Sequence, residues 1–174
     1  MNKAIIYREA ERLQRKYRTR NPFELLDAMN VEVGYSLEYP KNGLKGFCTC
    51  FNRIYYVSIN GHLCKEERRV IAGHEAGHIV LHSDLLKTNA LKDNNIYKAK
   101  NTEEREANIF AADFLLSDEE VLDAIKTCDS NFFTAAQTLC IPAPFFGFKL
   151  FSMVDRGYSM NVPIDLNSTF LKSR

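Results

Sequence analysis

The chain has almost no net charge, no long apolar run and no cysteine framework, and each absence narrows what it can be. Its 23 basic and 22 acidic side chains leave a formal charge of +1 over 174 residues, so no global field draws it to nucleic acid or to an anionic membrane. No stretch approaches the roughly 18 apolar residues that a membrane span needs, and the first eleven residues lack the apolar core of a secretion signal. A cytoplasmic protein is expected. The five cysteines (Cys48, Cys50, Cys64, Cys128 and Cys140) are an odd set without a repeating spacing, which suits reduced thiols better than disulfides. Cys48 and Cys50 share one face if they lie on a strand, but metal thiolates usually come as two such pairs, so these two read as small buried side chains. No internal repeat is present.

What is there suffices for one sizeable core: 45% of the residues are hydrophobic, and the length fits one domain or a domain with an appendage. Ile6, Ala10, Leu13 and Tyr17 recur at helical spacing and predict a helix over residues 2–18. Arg12, Arg15, Lys16, Arg18 and Arg20 then read as its solvated face. Asn21 as N-cap, Pro22 at the first position and Glu24 as the returning carboxylate predict a second helix over 22–29. The period then changes to two. Val31, Val33 and Tyr35 alternate, while 44–51 and 54–59 flank Asn52-Arg53 as a hairpin, giving a small, three-stranded, mostly antiparallel sheet. Helices are expected over 66–82, 102–116, 131–140 and 143–156, with a further one opened by the Ser117 and Glu120 capping pair and a polar loop over 87–101.

The helix over 66–82 contains His74-Glu75-Ala76-Gly77-His78. Residues four apart share a helix face, so both imidazoles can reach one metal ion. Glu75 is turned by about 100° from His74, suited to a water in the ion's open position rather than to ligation. Zinc brings the pKa of its water toward neutrality, and the carboxylate can accept the proton and return it to a leaving amine. The bland alternative is two core histidines with Glu75 paired to an arginine.

A third ligand is sought among Glu103, Glu104 and Glu106. On a wheel of about 100° per residue, Glu103 and Glu104 lie within about 50° of the stripe formed by Ala107, Phe110, Ala111, Phe114 and Leu115. Glu106 lies about 110° away and is expected to face solvent. A carboxylate at the edge of a buried face is costly unless paired or metal-bound, which favours Glu103 or Glu104.

Two segments resemble the ImmA/IrrE family of small zinc peptidases of bacteria, phages and mobile elements. The first is 69–82, with His74-Glu75-Ala76-Gly77-His78 and His82; the second is 104–116, with Glu104, Asn108 and Phe110-Ala111-Ala112. The likeness extends over 1–125 and is loose beyond. It implies an α+β fold with zincin-like helices under the sheet: a metallopeptidase domain over 1–125 and a C-terminal helical extension over 126–174 on the same core. It also implies His74, His78 and Glu104 as ligands of one Zn2+, for which manganese, iron or cobalt could substitute, and Glu75 as the catalytic base. Asn108 and His82 are implied as residues that orient the ligating histidines. The second block departs from the family in ending on Ser117 instead of proline, which leaves the chemistry untouched because Ser also opens a helix.

The implied activity is an endopeptidase acting on a protein partner, a helix-turn-helix repressor; the competing reading is a non-cleaving antirepressor or immunity-pair module on the same scaffold. An extended substrate would pair with an edge strand around 46–51, where Gly46 permits close approach. Tyr97, Tyr158 and His82 are candidate oxyanion donors. The C-terminal part is rich in phenylalanine, read foremost as core; DNA binding by its two short helices ranks last because Lys149 and Arg156 are nearly its only basic residues.

Overall fold

The computed structural model describes residues 3–89 and 101–160. Helix α1 (Lys3–Tyr17) buries Ile6, Ala10 and Leu13. On its outer side Arg12 pairs with Glu9 and Arg15 with Glu11, as a solvated face should. In α2 (Pro22–Ala28), Asn21 Oδ1 accepts from the Phe23 amide. Glu24, however, accepts from the Thr19 hydroxyl and the Asn21 side-chain amide, while the Asn21 backbone N–H goes to Thr19 Oγ1 at 2.9 Å. Thr19 thus takes over half of the expected reciprocal cap.

Three strands follow: β1 (Val31–Ser36), β2 (Gly46–Phe51) and β3 (Ile54–Asn60), in the order β1-β3-β2. β2 and β3 form the expected antiparallel hairpin, and Asn52 and Arg53 at its tip both have positive φ, 50° and 66°, the conformation of a type I′ turn. β1 instead pairs parallel with β3, Val31 facing Tyr55 and Ser36 facing Asn60, so the sheet is mixed. Alternation marks a strand but not its neighbour, and here the 37–45 connection carries the chain across the end of β3 to its far side.

Asn60 holds that crossing. Fully buried, it donates its side-chain amide to the carbonyls of Pro40 and Leu44, both at 3.0 Å, and its backbone N–H to Lys45 at 2.9 Å. Asn60→Ala should orphan two carbonyls and lower stability by about 2 kcal/mol in urea denaturation; a change inside about 0.5 kcal/mol would show that water satisfies them.

The inner face of the sheet, including Cys48, Val57 and Ile59, packs on α3 (Lys65–Leu81), and Cys50 is buried as well. Acidic Glu66 and Glu67 open α3, where they favour the macrodipole. A short helix not anticipated in the sequence, α4 (Ser83–Asn89), follows directly and runs into the start of the polar loop expected over 87–101. It has under two turns and no marked apolar stripe, so periodicity could not reveal it.

Then come α5 (Asn101–Leu115), α6 (Asp118–Thr127), α7 (Phe132–Thr138) and α8 (Ala143–Asp155). Ser117 caps α6 in the expected reciprocal box with Glu120, and Asn131 caps α7. α5 lies in the middle, packed against α1, α3 and α8. Phe132, Phe145, Phe146 and Phe148 join residues from Ile6 to Leu116 in one hydrophobic cluster.

Lys149 and Arg156 are ion-paired within the fold, to Asp113 and Asp118. They are therefore not offered to a phosphate backbone. No described helix is long and apolar enough to cross a membrane.

Candidate metal centre

α3 and α5 approach so closely that a Cβ on Gly77 would lie 2.9 Å from the Ala107 carbonyl oxygen and 3.0 Å from its Cα. This contact explains a glycine inside a helix, where it costs about 1 kcal/mol against alanine. It also brings the chemistry-bearing side chains of the two helices together. His74, Glu75, His78, His82, Glu104, Glu106 and Asn108 are all buried, none more than 9% exposed.

His74 Nε2 and His78 Nε2 lie 3.1 Å apart, and each is 3.6 Å from an oxygen of the Glu104 carboxylate. A tetrahedral ion bound at about 2.0–2.1 Å separates its ligand atoms by about 3.4 Å. The two 3.6 Å distances run to different oxygens of Glu104, so either oxygen lies near that spacing from one imidazole, and among the described residues this is the one His/Cys/Asp/Glu group compact enough to hold an ion. Two imidazoles and one carboxylate suit a borderline-soft divalent metal. Burial by itself would lower the pKa of His74, but the Glu104 hydrogen bond and the charges of Glu75 and Glu104 outweigh it, and the net shift is upward. Three groups that converge in this way repel or compete for protons unless a cation joins them.

Each imidazole has a partner for its other nitrogen. His74 Nδ1 lies 2.9 Å from Asn108 Oδ1, and His78 Nδ1 lies 3.3 Å from His82 Nδ1. His82 Nε2 in turn lies 2.9 Å from Glu106 Oε2. The expectation that Glu106 faces solvent is therefore wrong. The wheel treated α5 as a surface helix with one apolar face, whereas α5 is enclosed on three sides and Glu106 is 8% exposed.

Glu75, next to His74, points toward the sheet. Burial raises its carboxyl pKa, the His74 ring and a hydrogen bond from the Cys48 thiol pull it down, and the net shift is upward. The same burial and the Glu75 charge push the Cys48 thiol well above its ordinary value, so it stays a donor. Gly46 makes this approach possible: a Cβ there would sit 2.5 Å from Ile71 Cγ2 and 3.4 Å from Glu75 Oε1. Sequence reasoning assigned Cys48 to the core without seeing that it faces Glu75. The signal was Gly46 and Cys48 two apart on one face of the strand that meets α3.

The oxyanion candidates fare differently. Tyr158 donates its hydroxyl to Asp118 at 3.1 Å, and both ring nitrogens of His82 face other side chains. Tyr97 lies outside the described residues.

Comparison with known proteins gives a relative and a family. The uncharacterized immunity region protein 2 of Bacillus phage phi105 is 34% identical over 115 residues, which cover 66% of this chain and 70% of the phage protein. Residues 30–146, more than half of the chain and including both helices of the centre, match the profile of the IrrE N-terminal-like domain. The chain belongs to this family, Peptidase_M78.

Proposed function

We propose that the protein is a cytoplasmic zinc-dependent endopeptidase that cuts a protein partner, a helix-turn-helix repressor. The observation that carries the reading is the convergence of His74 Nε2, His78 Nε2 and the Glu104 carboxylate at edges of 3.1, 3.6 and 3.6 Å. These three residues would hold the ion. When bound, zinc supplies Lewis acidity, bringing the pKa of a water in its open position toward neutrality.

Glu75 takes the proton of the attacking water and passes it to the leaving amine, a role its buried place beside His74 favours. Asn108 and His82 accept from the Nδ1–H groups of His74 and His78 and so keep both Nε2 lone pairs turned inward. β2, an edge strand that meets α3 at Gly46, supports docking of an extended substrate segment by strand addition. In this reading 1–125 form the catalytic unit and 126–174 a helical extension on the same core.

The repressor assignment draws on the phage relative, whose name places it in an immunity region. It is tested by incubating protein purified without chelator with the repressor-like product of the neighbouring gene. Discrete fragments, lost in His74→Ala and on chelation, are expected. An intact repressor held in a stable complex would replace this reading with sequestration by a non-cleaving antirepressor. Less than half an equivalent of zinc, with none gained on addition, would remove the metal.

A further inference from the structure

Glu106 stands at the end of a chain of ring contacts that reaches one of the three metal-binding candidates. Its Oε2 is 2.9 Å from His82 Nε2, and His82 Nδ1 is 3.3 Å from His78 Nδ1. The two rings lie 5.4 Å apart, tilted by 50°. A carboxylate only accepts hydrogen bonds, so Glu106 calls for the proton on Nε2 of His82. A neutral imidazole has one such proton, which leaves Nδ1 of His82 as a bare acceptor. His78 must then place its own proton on Nδ1, and its Nε2 lone pair faces His74 and Glu104.

We propose that Glu106 is a positioning residue that acts through His82 to fix the tautomer and ring orientation of His78. The two histidines of the centre are thereby held by unlike means. His74 rests on a neutral amide oxygen of Asn108, whereas His78 rests on a carboxylate–histidine relay. Asn108 and Glu106 come from α5, which also supplies Glu104, whereas His82 caps the end of α3 between Glu106 and His78. The carboxylate–histidine–metal arrangement is thus extended by one ring, and removal of an outer partner of this kind typically weakens metal binding about 10–100-fold.

The inference rests on the metal-centre reading for its consequence but not for its geometry, and the test separates the two. Long-range 1H–15N correlation spectra of the metal-free protein at neutral pH read the histidine tautomers directly. The wild type should show His78 protonated at Nδ1 and His82 at Nε2; His78 protonated at Nε2 overturns the proposal whatever the metal does. Glu106→Met, which removes the acceptor, should mix the tautomers and raise the zinc dissociation constant 10–100-fold, measured against a competing chelator. Glu106→Gln keeps an acceptor oxygen and should recover most of both. Unchanged tautomers and zinc affinity in folded Glu106→Met would sink the relay while leaving the centre intact. Should Glu106→Met fail to fold, the wild-type spectrum still decides, because His78 protonated at Nε2 ends the relay. If the wild type binds no zinc at all, the metal-centre reading fails and the tautomer result alone stands.

Discussion

Glu75→Gln should lower the rate of peptide-bond cleavage by about 10²–10⁴-fold while leaving zinc content and melting temperature near those of the wild type. Glutamine has the shape of glutamate and keeps an oxygen for the Cys48 thiol, so the contacts among Gly46, Cys48 and α3 survive. What it lacks is a group that can take a proton from water and hand it on. Because Glu75 adjoins the three-residue centre without belonging to it, the substitution separates chemistry from binding. A variant that keeps full activity would end the role of Glu75 as base, and one that loses the ion would place it among the ligands. Measuring cleavage rate and bound zinc on the same preparation distinguishes the two outcomes.

The paired histidines of α3 were legible in the sequence because a helix converts a spacing of four into a shared face, a local rule that needs no tertiary knowledge. Glu104 was reached in two steps: the apolar stripe of α5 left it and Glu103, and the family likeness chose between them. Glu106 shows where the first step ends. A helical wheel ranks positions by angle but cannot know what surrounds a helix, and α5 packs against α1, α3 and α8. The parallel pairing of β1 was hidden for a related reason, since strand partners depend on the path of the 37–45 connection and on Asn60, whose side chain fastens it. Cys48 was read correctly as buried, but its approach to Glu75 arises only when β2 is laid on α3. Local periodicity thus disclosed elements and metal-binding candidates, while the contacts that surround those candidates come from packing between elements distant in sequence.

The ionic group beneath α5 should prove the most costly to break. Lys149 is 1% exposed and reaches Asp113 at 3.0 Å and Asp118 at 2.8 Å; Ser152 Oγ donates to Asp113 at 2.6 Å, and Arg156 makes two bonds to Asp118 at 2.5 and 2.8 Å. These contacts tie α8 to α5 and α6. Lys149→Met removes the cation and leaves two carboxylates short of a partner, so the expected loss is about 3–5 kcal/mol in urea denaturation. A loss below about 1 kcal/mol would mean that the group behaves as an exposed pair. Adding Asp113→Leu to Lys149→Met should recover part of the loss, because apolar replacement of a whole buried pair is often tolerated where removal of one partner is not.

The pH dependence supplies a second check. Burial tends to raise the pKa of Asp118, but hydrogen bonds from Arg156 and Lys149 outweigh it and hold the group far below the usual carboxylate range. Its contribution in the wild type is present above the unfolded value of about 3.9 and is lost as pH falls through the folded one. Asp113 runs the other way, because burial raises its pKa despite the pull of Lys149 and Ser152. Without Lys149 that elevation grows, and the folded state binds a proton there more readily than the unfolded chain. Stability tied to such a group is present at low pH and lost as pH rises through its folded pKa. Lys149→Met should therefore gain stability relative to the wild type as pH falls from neutrality toward the ordinary carboxylate range, and a variant whose deficit stays constant over that descent would show that Asp113 is not left as a buried, unpaired charge.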